Sequence, residues 1–203
     1  MGTELIDRRI RKTRKQLKDC LISLLKTKRI QDITVRELTE MADLNRGTFY
    51  LHYKDVFDLL EQTETELLGK LNSVIQKHRA EELLDRPFNI FHEVYTLVYE
   101  NASLVEILLG ENGDLNFLNR MKQIIRDKCL HDWMEVFRAG NPAIFDAYFS
   151  FIVSGCVGLV QYWLKTGMKE TPQQLARLTE QVIRKGIGVL DTDPFADIEN
   201  VRS

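Results

Sequence analysis

ITVRELTEMADLNRGTFYLHYKDVFDLL, residues 33–60, reads as two short helices joined by a tight turn. Thr34 and Glu37 have the spacing of a capping box, in which the hydroxyl accepts a backbone N–H and the carboxylate reaches back. Val35, Leu38, Met41 and Ala42 then keep an apolar face at helical spacing. Asp43-Leu44-Asn45 breaks that pattern, and Asn45 is a favoured cap for a second helix. The following segment, Arg46 to Tyr53, turns Arg46, Thr48, Tyr50 and His52 outward and leaves Phe49 and Tyr53 to pack inward. A short helix with donors and cations on its free face suits a DNA major groove. The expectation is a helix-turn-helix.

Charge supports that expectation. The whole chain of 203 residues carries a net −2, but residues 1–54 hold thirteen Lys and Arg against seven Asp and Glu, a net of +6. The other 149 residues hold fifteen basic and twenty-three acidic side chains, a net of −8. A charge run is ordinarily a solvated face, yet here the positive excess coincides with the helix-turn-helix. The helix before it, about Asp7 to Thr27, carries seven basic residues between Arg8 and Lys18. Its apolar stripe is Ile10, Leu17, Leu21, Leu24 and Leu25. Arg8 and Arg9 could form an arm, and Lys12, Arg14 and Lys15 are either further DNA contacts or solvated.

At these residues the chain resembles the TetR family of bacterial transcription regulators. The likeness runs through the ITVRELTEMA helix, the RGTFYLHYKD recognition helix and turn, and the helix opening at Val56. It covers about the first sixty residues at motif level. The family often has glycine where Asp43 sits; aspartate tolerates the left-handed conformation such a turn needs. The resemblance implies a DNA-binding regulator, most often a repressor, and it gives Tyr50 a phosphate contact. From the residues themselves, Arg46 and Thr48 are the base-edge candidates, since arginine forks to guanine and threonine touches or donates to a base. Helix-start amides favour phosphate, which adds Thr34, Asn45 and Lys54. Gly47 admits close approach of the backbone. His52 reaches either a base, a phosphate or neither.

Downstream, a fourth helix begins near Lys54-Asp55 and runs through Leu59, Leu60, Leu67, Leu68 and Leu71 toward Val74 or beyond. After the charged connection HRAEELLDR, helices are predicted at Phe88–Glu100, near Ser103–Leu109, at about Leu115–Phe137 and up to Lys165, with Asn141 and Pro142 starting the last of these. Thr171-Pro172-Gln173-Gln174 opens a final helix with a cap, a first-turn proline and a capping-box glutamine. Its stripe is Leu175, Leu178, Val182, Ile183, Ile187 and Leu190. No alternating strand pattern or repeat interrupts this. The expected fold is all-α: a three-helix head at 1–54, a helical effector-binding and dimerisation body at 55–193, and a tail at 194–203.

No signal peptide is expected, because the first thirty residues contain no continuous apolar run. Cys20, Cys129 and Cys156 are far apart without CxxC spacing, as for buried thiols in a reducing cytoplasm. From Ala147 to Leu164 no residue is charged, which reaches the length of a membrane span. Ser150, Ser154, Gly155, Gly158 and Gln161 dilute it, so a helix buried in a protein interface is the better account and no membrane partner is expected.

The body carries no catalytic set. His78, His92 and His131 are dispersed without HExxH spacing, SGCVG around Ser154 departs from the GxSxG elbow, and no Walker or GxGxxG loop is present. No enzyme, metal or cofactor is expected. Ala147, Ser150, Ser154 and Gly158 form a row of small residues that lets two helices approach. With Leu178 and Val182 of the last helix they make a homodimer interface, as the resemblance also implies; packing within one subunit is the alternative. Phe91, Tyr95, Tyr99, Trp133, Phe137 and Tyr148 are the kind of residues that line inducer cavities in TetR-like proteins, or ordinary core. FIVSGCVGLVQYWLKTGMKETPQQL is also similar to a branch that includes activators of dihydroxyacetone kinase operons, some of which answer to a protein partner. The expected function is a cytoplasmic, homodimeric regulator of a palindromic double-stranded operator, released or engaged by an unidentified small-molecule or protein effector. The alternative is a regulator whose body chiefly docks a partner protein, as an activator or interaction module.

Overall fold

The computed structural model describes residues 2–78, 87–110, 113–136 and 142–185, with side chains from 8–78, 87–110, 113–128 and 143–185. Every regular element among them is helical: α1 (Gly2–Leu25), α2 (Val35–Met41), α3 (Arg46–Tyr50), α4 (Val56–Gln76), α5 (Phe88–Glu100), α6 (Ala102–Leu109), α7 (Leu115–Val136), α8 (Pro142–Lys165) and α9 (Pro172–Lys185), with one 3₁₀ turn at Ile30–Asp32. The fold is all-α. It divides into two compact units, residues 1–67 and 68–203. The boundary falls inside α4, not at its start, because the first half of α4 belongs to the packing of unit 1.

Unit 1 forms around Leu17, Leu21, Leu38, Phe49 and Leu59, all fully buried, with Ala42, Tyr53 and Val56 beside them. The i, i+4 pairs Leu17–Leu21 and Phe49–Tyr53 show the 3.6-residue period at work. Polar side chains tie the layers together. Gln16 Nε2 donates to the Ala42 carbonyl at 2.7 Å, and Arg14 donates to Gln62 Oε1 at 2.8 Å and to the Tyr53 hydroxyl at 3.2 Å. Glu66 accepts an ion pair from Lys18 and lies 3.6 Å from Arg14. Arg14 is therefore a strut between α1, Tyr53 and α4, which answers its open role in the sequence. Ile10 and Met41 are exposed, against the expectation that both belong to buried stripes.

The turn after α2 is a complete Schellman motif: the Leu44 N–H reaches the Thr39 carbonyl at 2.9 Å, and the Asp43 N–H reaches Glu40 at 3.3 Å. Asp43 takes the left-handed position, with φ of 50°. Thr34 caps α2 by accepting the Glu37 N–H at 3.2 Å. The predicted capping box is only half made, because the Glu37 carboxylate pairs with Lys28 Nζ instead of reaching back.

Unit 2 packs α5 along α9. The Tyr95 hydroxyl and Thr179 Oγ1 share a buried hydrogen bond at 2.7 Å, and the Arg177 guanidinium lies 5.3 Å from the Phe88 ring centre. Leu71, Ile75 and Ile90 make a second apolar cluster, flanked by Phe91 and Val94. Gln161 Nε2 donates to the Leu109 carbonyl, joining α6 to α8, and Arg126 pairs with Asp146 across α7 and α8. The capping box at Thr171 and Gln174 is reciprocal, at 2.8 and 3.2 Å. Another Schellman motif ends α8, with Gly167 at φ of 79° and the Met168 N–H on the Trp163 carbonyl. Asn141, most of the 78–86 connection, Glu111-Asn112 and the 194–203 tail lie outside the described residues.

Asp43→Gly is expected to stabilise unit 1. It removes a left-handed non-glycine residue costing roughly 1–2 kcal/mol, against about 0.5–1 kcal/mol of extra chain entropy for glycine. A higher urea midpoint for the variant, with an unchanged slope, is the expected result.

Candidate nucleic-acid interface

α3 has only five residues, too few to persist in water without support. The Asn45 side chain accepts the Gly47 N–H at 2.8 Å, and the Asn45 carbonyl accepts the Thr48 N–H at 2.9 Å, so the first turn is closed by its cap. Phe49 and Tyr53 bury the inner side, their ring centres 5.7 Å apart. Arg14 holds Tyr53 from beyond. Turned away from that side are Arg46, Gly47, Tyr50 and Leu51, all exposed, with Thr48 and His52 half-buried. The sequence reading expected Arg46, Thr48, Tyr50 and His52 there and did not name Leu51.

Two predicted donors sit at the ends of the motif. The Thr34 hydroxyl accepts the Glu37 amide as α2's cap, which leaves its own hydrogen free to donate. Lys54 is exposed at the mouth of α4. Its amide donates to Asp58 Oδ2 at 2.8 Å while Asp55 Oδ1 accepts the Asp58 N–H, a reciprocal cap that fixes the Lys54 backbone. Hydrogen bonds from Gln62 and then from the Lys54 amide hold the Asp58 carboxyl below its ordinary range, so this cap is charged at neutral pH.

Gly47 is informative for what the fold does not ask of it. A Cβ there would meet only Asn45 Oδ1, at an ordinary 3.5 Å, and the residue is helical. Glycine in a helix costs stability relative to alanine. Among the described residues no close contact requires a glycine at this position.

A family model described as a transcriptional regulator C-terminal region, of TetR type, matches residues 85–185. The HTH-type transcriptional regulator YxbF of Bacillus subtilis (strain 168) is 24% identical over 171 residues, 83% of this chain and 44% of that relative. The chain thus spans less than half the length of this curated relative. A TetR transcriptional regulator from Streptococcus agalactiae 2603V shares 24% identity at a TM-score of 0.58, covering 89% of this chain and 98% of its own. The fatty acid degradation regulator FadR from Bacillus halodurans reaches a TM-score of 0.64 at 16% identity, over 86% and 96% of the two chains. The chain belongs to the TetR family of transcriptional regulators.

The rest of this TetR-family regulator places the other predicted residues in two settings. Ala147, Ser150, Ser154 and Gly158 are all exposed on α8, and a Cβ on Gly155 or Gly158 would meet nothing within 4 Å. Ile144, Phe151 and Tyr162, at 68%, 76% and 60% exposure, lie beside them with Tyr148. Residues 144, 148, 151, 155, 158 and 162 repeat at steps of four and three, one continuous apolar face. Sequence reasoning named the small residues of this face but missed Ile144, Phe151, Gly155 and Tyr162, although their spacing was there to find. Val182 on α9 is exposed and Leu178 half-buried. By length and composition, Ala143–Lys165 is the one described helix long and apolar enough to cross a membrane, with 17% of its apolar window buried within the chain.

Of the aromatic residues named for an effector cavity, Phe91 and Tyr95 stack with ring centres 6.4 Å apart, and Tyr95 and Tyr99 both lie against the Trp163 ring. Tyr148 faces outward on α8 and Tyr99 is exposed, stacked 6.2 Å from the Trp163 ring. Tyr95 is wholly buried; desolvation drives its hydroxyl pKa upward, and Phe91 flanks the cluster of Leu71 and Ile90. Within the single chain Tyr99 and Tyr148 are exposed, at the end of α5 and on α8, so neither is ordinary core. The Trp133 side chain and Phe137 lie outside the described residues. Burial pushes the Cys156 thiol up to about 11 and raises that of Cys20, so both are inert protonated thiols at neutral pH; the Cys129 side chain lies outside the described residues. Among the described residues no group of three or more His, Cys, Asp or Glu could hold a metal ion.

Gly47→Ala is expected to raise stability by about 0.5–1 kcal/mol through helix propensity alone, measured as a shift in urea midpoint. A drop in stability would mean that the fold, not an outside body, requires this glycine.

Proposed function

We propose that this TetR-family regulator is a cytoplasmic homodimer that binds a palindromic double-stranded operator through α3, acts as a repressor, and is released or engaged by a small-molecule or protein effector. The supporting observation is the exposed face of α3: donors and a cation held outward by a buried Phe49–Tyr53 pair, on a head whose residues 1–54 carry a net +6. Thr34, Asn45, Gly47, Tyr50 and Lys54 serve the DNA backbone, Arg46 and Thr48 the base edges, and His52 either one. The body, 55–193 in sequence terms, supplies dimerisation and the effector response. The reading in which the body docks a partner and DNA is secondary is disfavoured, since the exposed set on α3 has no other use in the chain.

The dimer is supported by the α8 face. A row from Ile144 to Tyr162, with large apolar side chains toward its ends and glycines 155 and 158 in its second half, is costly to leave in water and shaped for a second helix. Two copies related by a two-fold axis would bury the same face on each. Val182 and Leu178 extend it on α9.

Affinity for DNA from the promoter region of its own gene should fall steeply with salt, in proportion to the phosphates neutralised; a flat response would exclude the reading. On a panel of operator variants, Arg46→Ala should cost about 1–3 kcal/mol at one base pair and relax preference there. Tyr50→Phe and Lys54→Ala should weaken all sites alike. An equal loss at every site for Arg46→Ala would reassign it to phosphate.

Gly158→Leu should shift the protein toward monomer or aggregate in sedimentation, because a leucine in the row holds the helices apart. A dimer of unchanged strength would move the interface off α8.

A further inference from the structure

The most exposed large apolar side chain among the described residues is Leu51, at 80%, and its register places it at the centre of the face that α3 turns outward. Phe49 and Tyr53, four residues apart, define the inner side. At about 100° per residue the direction opposite to them is occupied by Leu51, with Gly47 one turn before it. The turn is real at both positions: the Leu51 N–H reaches the Gly47 carbonyl at 3.2 Å. Thr48 and His52 flank this line on one side, and Tyr50 on the other. Arg46 starts the helix at its rim.

A lone exposed leucine needs no explanation in general. Here two facts converge. The residue one turn earlier on the same line is a glycine that the fold does not require. That leaves Leu51 as the side chain standing furthest out at the point of closest approach. Its neighbours on this face, Thr48, Tyr50 and His52, are polar, so nothing in the head covers Leu51. On the edges of base pairs in the major groove the bulky apolar group is the 5-methyl of thymine; cytosine shows only a C5–H at that place, and the remaining groups are donors or acceptors.

We propose that Leu51 is a specificity-determining residue that reads a pyrimidine 5-methyl group, with Gly47 providing the clearance that lets it reach the base. This inference rests on the DNA-binding reading above. Leu51 gives the site a preference that hydrogen bonds from Arg46 or Thr48 do not supply. Because the side chain makes no internal packing, its replacement leaves the fold alone.

The test uses the full-length protein and a randomised duplex library. Wild-type protein selects a preferred duplex, and each thymine of that duplex is then replaced in turn by deoxyuridine, which lacks only the methyl group. At one thymine per half-site the replacement should weaken wild-type binding by about fourfold, the worth of one buried methyl. Leu51→Ala should bind the thymine and deoxyuridine duplexes equally, and its own selection should lose thymine at that position alone. A 5-methylcytosine at the same place should restore wild-type affinity relative to cytosine, which identifies the methyl and not the thymine carbonyl as the group read. If no deoxyuridine replacement matters to the wild type, or if it costs wild type and Leu51→Ala equally, the proposal is overturned while DNA binding stands. If wild-type protein selects no sequence from the library, the DNA-binding reading itself has failed.

Discussion

Burial of Phe49 and Tyr53 beneath α1 and α4 is the interaction on which the recognition face depends. Five residues of helix contribute at most a couple of internal hydrogen bonds, and nucleation of such a segment is unfavourable in water. Two aromatic side chains removed from water, each worth roughly 1.5–3 kcal/mol, supply what the backbone cannot. Their orientation then decides everything on the opposite side, because side chains on so short a helix have no freedom to exchange faces. Arg14 enters this arrangement as a structural residue. It satisfies the Tyr53 hydroxyl and lies against its ring, and its other bonds run to Gln62 and Glu66. A cation in a basic segment is thus tied to Tyr53, Gln62 and Glu66, although its side chain stays partly exposed.

Backbone termini matter as much as apolar burial. α2 is entered through Thr34 and left through the Asp43 turn; α3 is entered through Asn45; α4 is entered through Asp55 and Asp58. Each of these closes orphan amides or carbonyls that short helices have in large proportion. The loops between the three helices have almost no residue that is not part of a cap. That is why the motif has a fixed shape, and why a string as short as Thr34 to Asp58 could be read from sequence at all.

The helices were legible because their periodicity and their caps agree. α5 was expected at Phe88–Glu100 and is found there, and the Thr171–Gln174 box was visible as a spacing before any coordinate. What could not be read was which residue of an apolar stripe has something to pack against. Ile10 falls on the line of Leu17 and Leu21, but about two turns earlier, where no described element of unit 1 covers it. Met41 lies at the last turn of α2, where the Asp43 turn diverts the chain. Tyr148 was grouped with Tyr95 on aromatic character, and only the direction of α8 separates an outward ring from a core one. Leu51 was passed over for the converse reason: an apolar residue in a helical string is counted as core unless its angle to Phe49 and Tyr53 is worked out. Glu37 shows a further limit, since the same carboxylate fits a capping box or a salt bridge with Lys28, and sequence spacing is silent on the competition.

The two exposed faces differ in what they need from a partner. α3 carries donors, a cation and one methyl-reading candidate, so under the proposed function its affinity for DNA comes from many weak contacts in a salt-sensitive setting. The α8 face is mostly apolar, its polar groups being Ser150, Ser154 and the hydroxyls of Tyr148 and Tyr162, and under the proposed function its association is driven by removing Phe151, Ile144 and the tyrosine rings from water, a force that salt does not screen. Under the proposed function the second interaction sustains the first. A head with few phosphate and base contacts binds weakly alone, and joining two heads raises the effective concentration of the second at its half-site. The dimer then persists at ionic strengths that weaken each head separately. Specificity, on the same proposal, is left to the groove-facing residues of α3, while the apolar face of α8 contributes association without sequence preference.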